Sequence, residues 1–83
     1  MKAILILAGA FSSCDSTKNI WQELCNKNNL ELETHFLSED IGKDIATKHN
    51  VKSFPALIVM DKVVAVGHPN EKVAQQVFDS LDL

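Results

Sequence analysis

The apolar run AILILAGAF (residues 3–11) constrains the fold more than any other segment of the chain. Its first part, Ala3–Ala8, contains no polar residue and is rich in Ile and Leu, the pattern of a central β-strand covered on both faces. The alternative is a secretion or lipid-attachment signal that ends at Cys14. A single preceding Lys and the Phe-Ser-Ser before the cysteine are weak flanks for such a signal. We therefore predict a buried strand, which needs packing elements on both faces.

Hydrophobic periodicity predicts six further elements after this strand, giving the order β-α-β-α-β-β-α. A helix capped by Ser12 or Ser13 buries one face and ends in the stretch Asn26–Asn29. The predicted strands after the first are Leu30–Phe36, Ala56–Met60 and Val63–Val66. The predicted buried faces of the three helices are Ile20, Trp21, Leu24 and Cys25 in the first; Ile41, Ile45 and Ala46 in the second, which ends at Asn50; and Val73, Ala74, Val77, Phe78 and Leu81 in the third, which Asn70 caps. Asp61-Lys62 is the predicted hairpin turn. Strands separated by helices predict parallel pairing, and the hairpin adds an antiparallel edge to a mixed four-stranded sheet flanked by three helices.

Length and composition exclude several classes of function. Residues 1–83 are predicted to form a single domain, because the chain is too short for a second core. The net charge is −3 and all eight basic residues are Lys without a basic block, which argues against nucleic-acid binding. Two cysteines without zinc-type spacing predict neither a disulfide framework nor a metal site. We expect no cofactor, no membrane association and a cytoplasmic monomer.

Cys14 stands where the first strand meets the first helix. Free N–H groups and the helix dipole stabilise a thiolate at such a position and lower the thiol pKa. Thr17, one turn later, can offer its hydroxyl to the sulfur, and Lys18 adds positive charge that Asp15 opposes. The alternative is a small, inert cysteine at a helix start. Cys25 lies on the apolar stripe and is predicted to be a core residue, as is Trp21.

The three histidines are weaker candidates. His35, on the mixed second strand, and His49, at the end of a helix, are predicted to be surface residues. His68 lies in the Gly67–Asn70 loop, either beside an active groove or as an ordinary loop residue.

The chain resembles small thioredoxin-fold proteins of glutaredoxin size along nearly its whole length. Three segments carry the resemblance: Ser13-Cys14-Asp15-Ser16-Thr17-Lys18 after the first strand, Val51-Lys52-Ser53-Phe54-Pro55-Ala56-Leu57, and the hairpin that ends at Gly67. Cys14-Asp15-Ser16-Thr17 occupies the place of the thioredoxin CxxC. The resemblance implies a cis Pro55 that faces the nucleophilic cysteine, and a Phe54 backbone that pairs with an extended peptide. A plain turn with a core aromatic is the alternative for Phe54-Pro55.

The resemblance implies a site with Cys14 and Thr17 as catalytic residues. Ser13, Asp15, Phe54 and Pro55 are the expected substrate-binding residues, and a thiol or disulfide of a protein or peptide is the expected partner. Two departures from the family stand out: Thr17 replaces the resolving cysteine, and Ala8 stands where thioredoxins keep a buried acid. Two glutathione-binding signatures of glutaredoxins, Thr-Val-Pro and Gly-Gly-x-Asp, are also absent.

Three functions are compatible with this pattern. The first is a monothiol oxidoreductase, in which Cys14 forms a mixed disulfide that an external thiol resolves. The second is a binding module that uses the groove beside Phe54-Pro55 without catalysis. The third is a sulfur carrier with a persulfide on Cys14. Retention of Cys14 favours chemistry over pure binding, because a binding groove needs no thiol. Thr17 and Ala8, in place of a second thiol and a buried acid, favour the second and third functions. We rank the monothiol oxidoreductase first.

Overall fold

The structure is a computed structural model that describes residues 2–9 and 12–81, except for the side chains of residues 12–14. Its elements follow the predicted order and are, in turn, β1 (Lys2–Leu7), α1 (Ser12–Lys27), β2 (Glu31–Phe36), α2 (Asp40–Lys48), β3 (Ala56–Val59), β4 (Lys62–Val66) and α3 (Glu71–Ser80). The predicted α/β class, a mixed four-stranded sheet flanked by three helices in a thioredoxin-like arrangement, is confirmed.

The strands lie in the order β2-β1-β3-β4, with β1 inside the sheet. β1 pairs in parallel with β2, as the α1 crossover predicts, but β3 is antiparallel to β1, which corrects the expectation that helix-separated strands run parallel. The reason lies in the connection. After the nine residues of α2, the segment 49–55 carries the chain back to the end of β1, where Ala56 pairs with Ile6. β3 therefore starts at that end and runs in the opposite direction.

The sheet has a core on each face, as the unbroken apolar character of β1 predicts. Alternate residues of β1 point to opposite faces, so Leu5 joins the larger core and Ile6 joins the smaller one. The larger core is formed with α1 and α3, where the rings of Trp21 and Phe78 pack at a centroid distance of 5.9 Å. The smaller core lies under α2 and includes Ala46.

Asparagine ends α1 and α2 in the same way. Asn29 and Asn50 both have positive φ angles, 58° and 55°. After each, the next amide donates back into the helix, Leu30 N to Cys25 O at 2.8 Å and Val51 N to Ala46 O at 2.8 Å. This is the Schellman arrangement, and Asn tolerates its left-handed position. The predicted helix ends are confirmed.

Several local predictions are wrong by one or a few positions. The two-residue hairpin turn is Met60-Asp61, not Asp61-Lys62: Val59 pairs with Lys62, and Met60 and Asp61 have φ angles of 53° and 62°. This is the pattern of a type I′ turn. The predicted cap of α1 is also misplaced, because α1 begins at Ser12 and a capping residue has to precede the helix.

The predicted Asn70 cap of α3 is confirmed, since the side chain of Asn70 accepts a hydrogen bond from Val73 N.

Two apolar residues predicted to be buried are exposed. Ile41 is 57% exposed and Val73 is 45% exposed. In α2 the close approach of Gly42 to the chain at Phe36 turns the face of Gly42 and Ala46 toward the sheet, so Ile41 projects into solvent. His35 and His49, predicted at the surface, are both partly buried.

Candidate functional site

One end of the sheet gathers three segments that are far apart in the chain. β1 ends at Leu7, and α1 begins near it at Ser12. Ala56, the first residue of β3, pairs with Ile6 at this same end, so Pro55 lies there too. Val66, the last residue of β4, pairs with Ala56, which brings the start of the Gly67–Asn70 loop to the same end of the sheet. The strand register therefore assembles the candidate site.

The start of α1 carries the CxxT motif. The backbone of Cys14 lies in the first turn of the helix, where unpaired N–H groups and the helix dipole are concentrated. The side chains of Ser13 and Cys14 lie outside the described residues. Asp15 is exposed in the same turn, as a residue that contacts a partner has to be.

Thr17 is buried and bonded to a distant residue. It is 1% exposed, and its Oγ1 lies 2.6 Å from Nδ1 of His68, a hydrogen bond that spans 51 positions of the chain. Thr17 is buried because it continues the apolar stripe of α1, lying four residues before Trp21. Its hydroxyl consequently finds its partner in the protein, from the β4–α3 loop.

Pro55 is buried, and the Phe54-Pro55 peptide bond is cis. The carbonyl of Pro55 accepts a hydrogen bond of 2.7 Å from the amide of Gly67, whose φ of +85° favours glycine. This bond extends the β3–β4 pairing by one step and holds the loop with His68 beside the proline. The Pro55 segment and the loop are thus joined at the backbone, and the loop is joined to the CxxT motif through the side chains of His68 and Thr17.

The ring of Phe54 points away from α1. It packs against the smaller core, on the α2 face of the sheet. There it lines a cavity of about 440 Å³ with Leu37, Ala46 and Val51. Thr17 belongs to the opposite face, so this cavity is separate from the CxxT motif, and only the Phe54 backbone lies at the sheet end predicted for substrate.

Cys25 lies in the larger core, as predicted. Its side chain is 0% exposed, and this burial raises the pKa of the thiol to about 11 because the thiolate would lose its hydration. Cys25 lies eleven positions after Cys14 on the helix, about 16 Å along the axis, which is far beyond disulfide reach. Ala8, at the position of the buried acid of thioredoxins, is exposed just beyond β1.

The described residues contain neither a metal-binding cluster nor a membrane-spanning helix. Among them, no three His, Cys, Asp or Glu residues are grouped closely enough to hold a metal ion. Within residues 2–9 and 12–81, no helix is both long and apolar enough to cross a membrane.

The contact between His68 and the CxxT motif is the part of the site that sequence analysis left open. No periodicity or motif connects positions 17 and 68. The available signal is indirect: His68 follows the hairpin strand β4, whose end must lie beside the start of β3 and therefore beside Pro55.

Comparisons with known proteins agree with this architecture. A family model described as "Thioredoxin domain" matches residues 2–79. A solved structure titled "Structure of a malarial protein" is similar to this chain with a TM-score of 0.68 and 16% identity, over 99% of this chain and 97% of that chain. No curated protein matches the chain. At that identity the solved structure supports the fold alone, whereas the family model covers nearly all of the sequence, and on that ground the chain belongs to the thioredoxin family.

Proposed function

We propose that this chain is a monothiol member of its family, in which Cys14 exchanges disulfides with a protein or peptide partner. The thiolate of Cys14 attacks one sulfur of a partner disulfide, a mixed disulfide forms, and the second partner sulfur leaves as a thiolate. An external thiol, as its thiolate, then attacks the partner sulfur of the mixed disulfide and releases the Cys14 thiolate. Two external electrons are transferred to the partner only if a second external thiol completes its reduction.

The observation that carries this proposal is the burial of Cys25, the one other thiol of the chain. Thr17 stands where a resolving cysteine would be and has no thiol. Cys25 is 0% exposed, and its thiol pKa is raised to about 11, so it supplies almost no thiolate near neutral pH. Resolution within the chain is therefore blocked, and the partner or a separate thiol must perform it.

The assembled sheet end supports a partner site at Ser13, Asp15, Phe54 and Pro55. Thioredoxin-type chemistry needs a thiol at a helix start beside an extended stretch of backbone that a peptide can join. The start of α1 and the Phe54-Pro55 segment both lie near the end of β1 where β3 begins, which supports this proposal. We place the activity in the cytoplasm, where thiols stay reduced and an external thiol is available, and we propose that the protein acts as a monomer.

The proposal is tested by trapping the mixed disulfide. The reduced protein is treated with an activated aromatic disulfide, and the adduct is mapped by mass spectrometry. We expect one adduct, on Cys14, that is released by an added low-molecular-weight thiol. Cys14→Ser abolishes the adduct, and the matched variant Cys25→Ser retains it.

Two other outcomes point to the alternative functions. A native protein whose Cys14 forms no adduct contradicts the proposal and favours a binding module. An adduct that forms slowly, beside rapid formation of a Cys14 persulfide with a polysulfide donor, favours a sulfur carrier.

A further inference from the structure

We infer that His68 is a positioning residue that controls the reactivity of Cys14 through the hydroxyl of Thr17. The inference rests on the proposed function, because it concerns the regulation of the same thiol. Its basis is the 2.6 Å contact between Thr17 Oγ1 and His68 Nδ1. Thr17 is the last residue of the CxxT motif, and residues three apart on a helix are neighbours on its surface.

The hydroxyl of Thr17 has one proton to donate. When His68 is neutral with Nδ1 unprotonated, the hydroxyl donates that proton to Nδ1 and has none to offer elsewhere. When His68 is protonated, Nδ1–H donates to Oγ1 instead. The Thr17 proton is then released toward another acceptor.

Burial restricts where that proton can go. Thr17 is 1% exposed, so water is not readily available, and a buried hydroxyl without an acceptor is costly. Cys14 lies one turn earlier on α1, and a thiolate there is a strong acceptor. Protonation of His68 therefore stabilises the Cys14 thiolate through the donor that Thr17 releases.

His68 itself is exposed to solvent. Within the described part of the chain, the side chain of His68 forms a hydrogen bond with Thr17 and no ion pair. The charged residues on the elements next to His68 are Asp15 and Lys18 on α1, Lys52 before Pro55, and Glu71 and Lys72 at the start of α3. The two negative and three positive charges of these residues nearly cancel. The hydrogen bond to Thr17 is therefore the specific contact of the His68 ring.

The test is the pH dependence of Cys14 alkylation by iodoacetamide, followed by mass spectrometry so that Cys25 is counted separately. For a thiol with one ionisation, the logarithm of the rate rises with unit slope below its pKa. In the wild type we expect a slope below one over the part of the pH range in which the ring of His68 loses its proton. As His68 becomes neutral, the thiolate loses a donor, which offsets part of the gain from rising pH.

Three variants separate this mechanism from a merely structural contact. Thr17→Val and His68→Ala should each restore unit slope, and Thr17→Val should react about three- to tenfold more slowly than the wild type at pH 5.5. Adding His68→Ala to Thr17→Val should change the profile no further. Thr17→Ser, which keeps the hydroxyl, should retain the reduced slope, and His49→Ala is the matched histidine control that should leave the profile unchanged.

The outcomes distinguish this inference from the function on which it rests. A reactive Cys14 with unit slope in the wild type, or a reduced slope that persists in Thr17→Val or His68→Ala, overturns the role of His68 and leaves the proposed function standing. A wild-type Cys14 that does not alkylate in the native state overturns both.

Discussion

Gly42, the third residue of α2, lies directly against the backbone carbonyl of Phe36, the last residue of β2. A Cβ atom at position 42 would collide with that carbonyl oxygen. Replacing a helical glycine with alanine usually stabilises a protein by roughly 1 kcal/mol. Here the neighbour is backbone and cannot rotate away, so α2 has to shift from the sheet.

We therefore expect Gly42→Ala to lower the free energy of unfolding by about 1–3 kcal/mol, the usual range for overpacking. Urea unfolding followed by the fluorescence of Trp21, the single tryptophan, measures it. Lys43→Ala, at an exposed position of the same helix, is the control and should change little. A Gly42→Ala protein as stable as the wild type would show that α2 does not need this close approach.

The Thr17→Cys variant should gain an intramolecular disulfide. The substitution restores the CxxC spacing of the family at a position that is 1% exposed, and the side chain is close to threonine in size. After mild oxidation, we expect Cys14 and the introduced thiol to resist alkylation together, with the loss of two hydrogens in the mass spectrum.

Loss of the hydroxyl bond to His68 should cost the reduced Thr17→Cys protein about 1 kcal/mol of stability. Thr17→Ser is the control that cannot form the disulfide. If both thiols remain open to alkylation after oxidation, the start of α1 does not have thioredoxin geometry.

Cys25 should make the protein less stable as the pH rises above 9. In the folded chain its thiol pKa is about 11, against 9.0 for a free thiol. Below pH 9 the thiol is neutral in both states and the contribution is complete. Between pH 9 and 11 the unfolded chain loses the proton while the folded chain keeps it, so unfolding becomes more favourable.

The loss approaches about 2 kcal/mol at pH 11, since one pKa unit corresponds to roughly 1.4 kcal/mol. It is measured as the difference in stability between Cys14→Ser and Cys14→Ser/Cys25→Ala across this range, which removes the titration of Cys14. Parallel curves for the two proteins would contradict the burial of the Cys25 thiol.

The hairpin turn can be improved by substitution. Met60 and Asp61 both have positive φ, which Gly adopts most readily, Asn and Asp tolerate, and Met disfavours. Met60→Asn with Asp61→Gly matches the preferred type I′ sequence and should raise the free energy of unfolding by about 1 kcal/mol. Met60 is 49% exposed, so little packing is lost. Met60→Ala keeps the unfavourable conformation and should bring no gain in the melting temperature.

The elements themselves were predictable because their signals are local. An apolar strand, a helical stripe at Trp21, Leu24 and Cys25, and asparagines at two helix ends each depend on a few neighbouring residues. The misplaced hairpin turn has a different origin. Asp61 is a usual residue for a left-handed turn but Met60 is not, so local preference did not indicate the register that the pairing of Val59 with Lys62 establishes.

Rotation of the helices was less predictable. The spacing of Ile41, Ile45 and Ala46 fits one apolar face of α2, yet Ile41 is exposed. A glycine carries no hydrophobic signal, although Gly42 is the residue that allows the closest contact with the sheet. Hydrophobic patterns detect apolar side chains, which favour burial. They do not detect a glycine, whose lack of a side chain permits close packing.

By itself, the sequence determined the order of the elements and the burial of β1 and Cys25, because these follow from local composition and spacing. The motifs around Cys14 and Pro55 were recognised through their resemblance to the thioredoxin family. Only the tertiary structure decided that β3 runs antiparallel to β1 and that His68 meets Thr17. Both depend on where the chain returns after α2 and after β4. That return is determined by the register of paired strands and by contacts between residues as many as 51 positions apart, and no local preference encodes it.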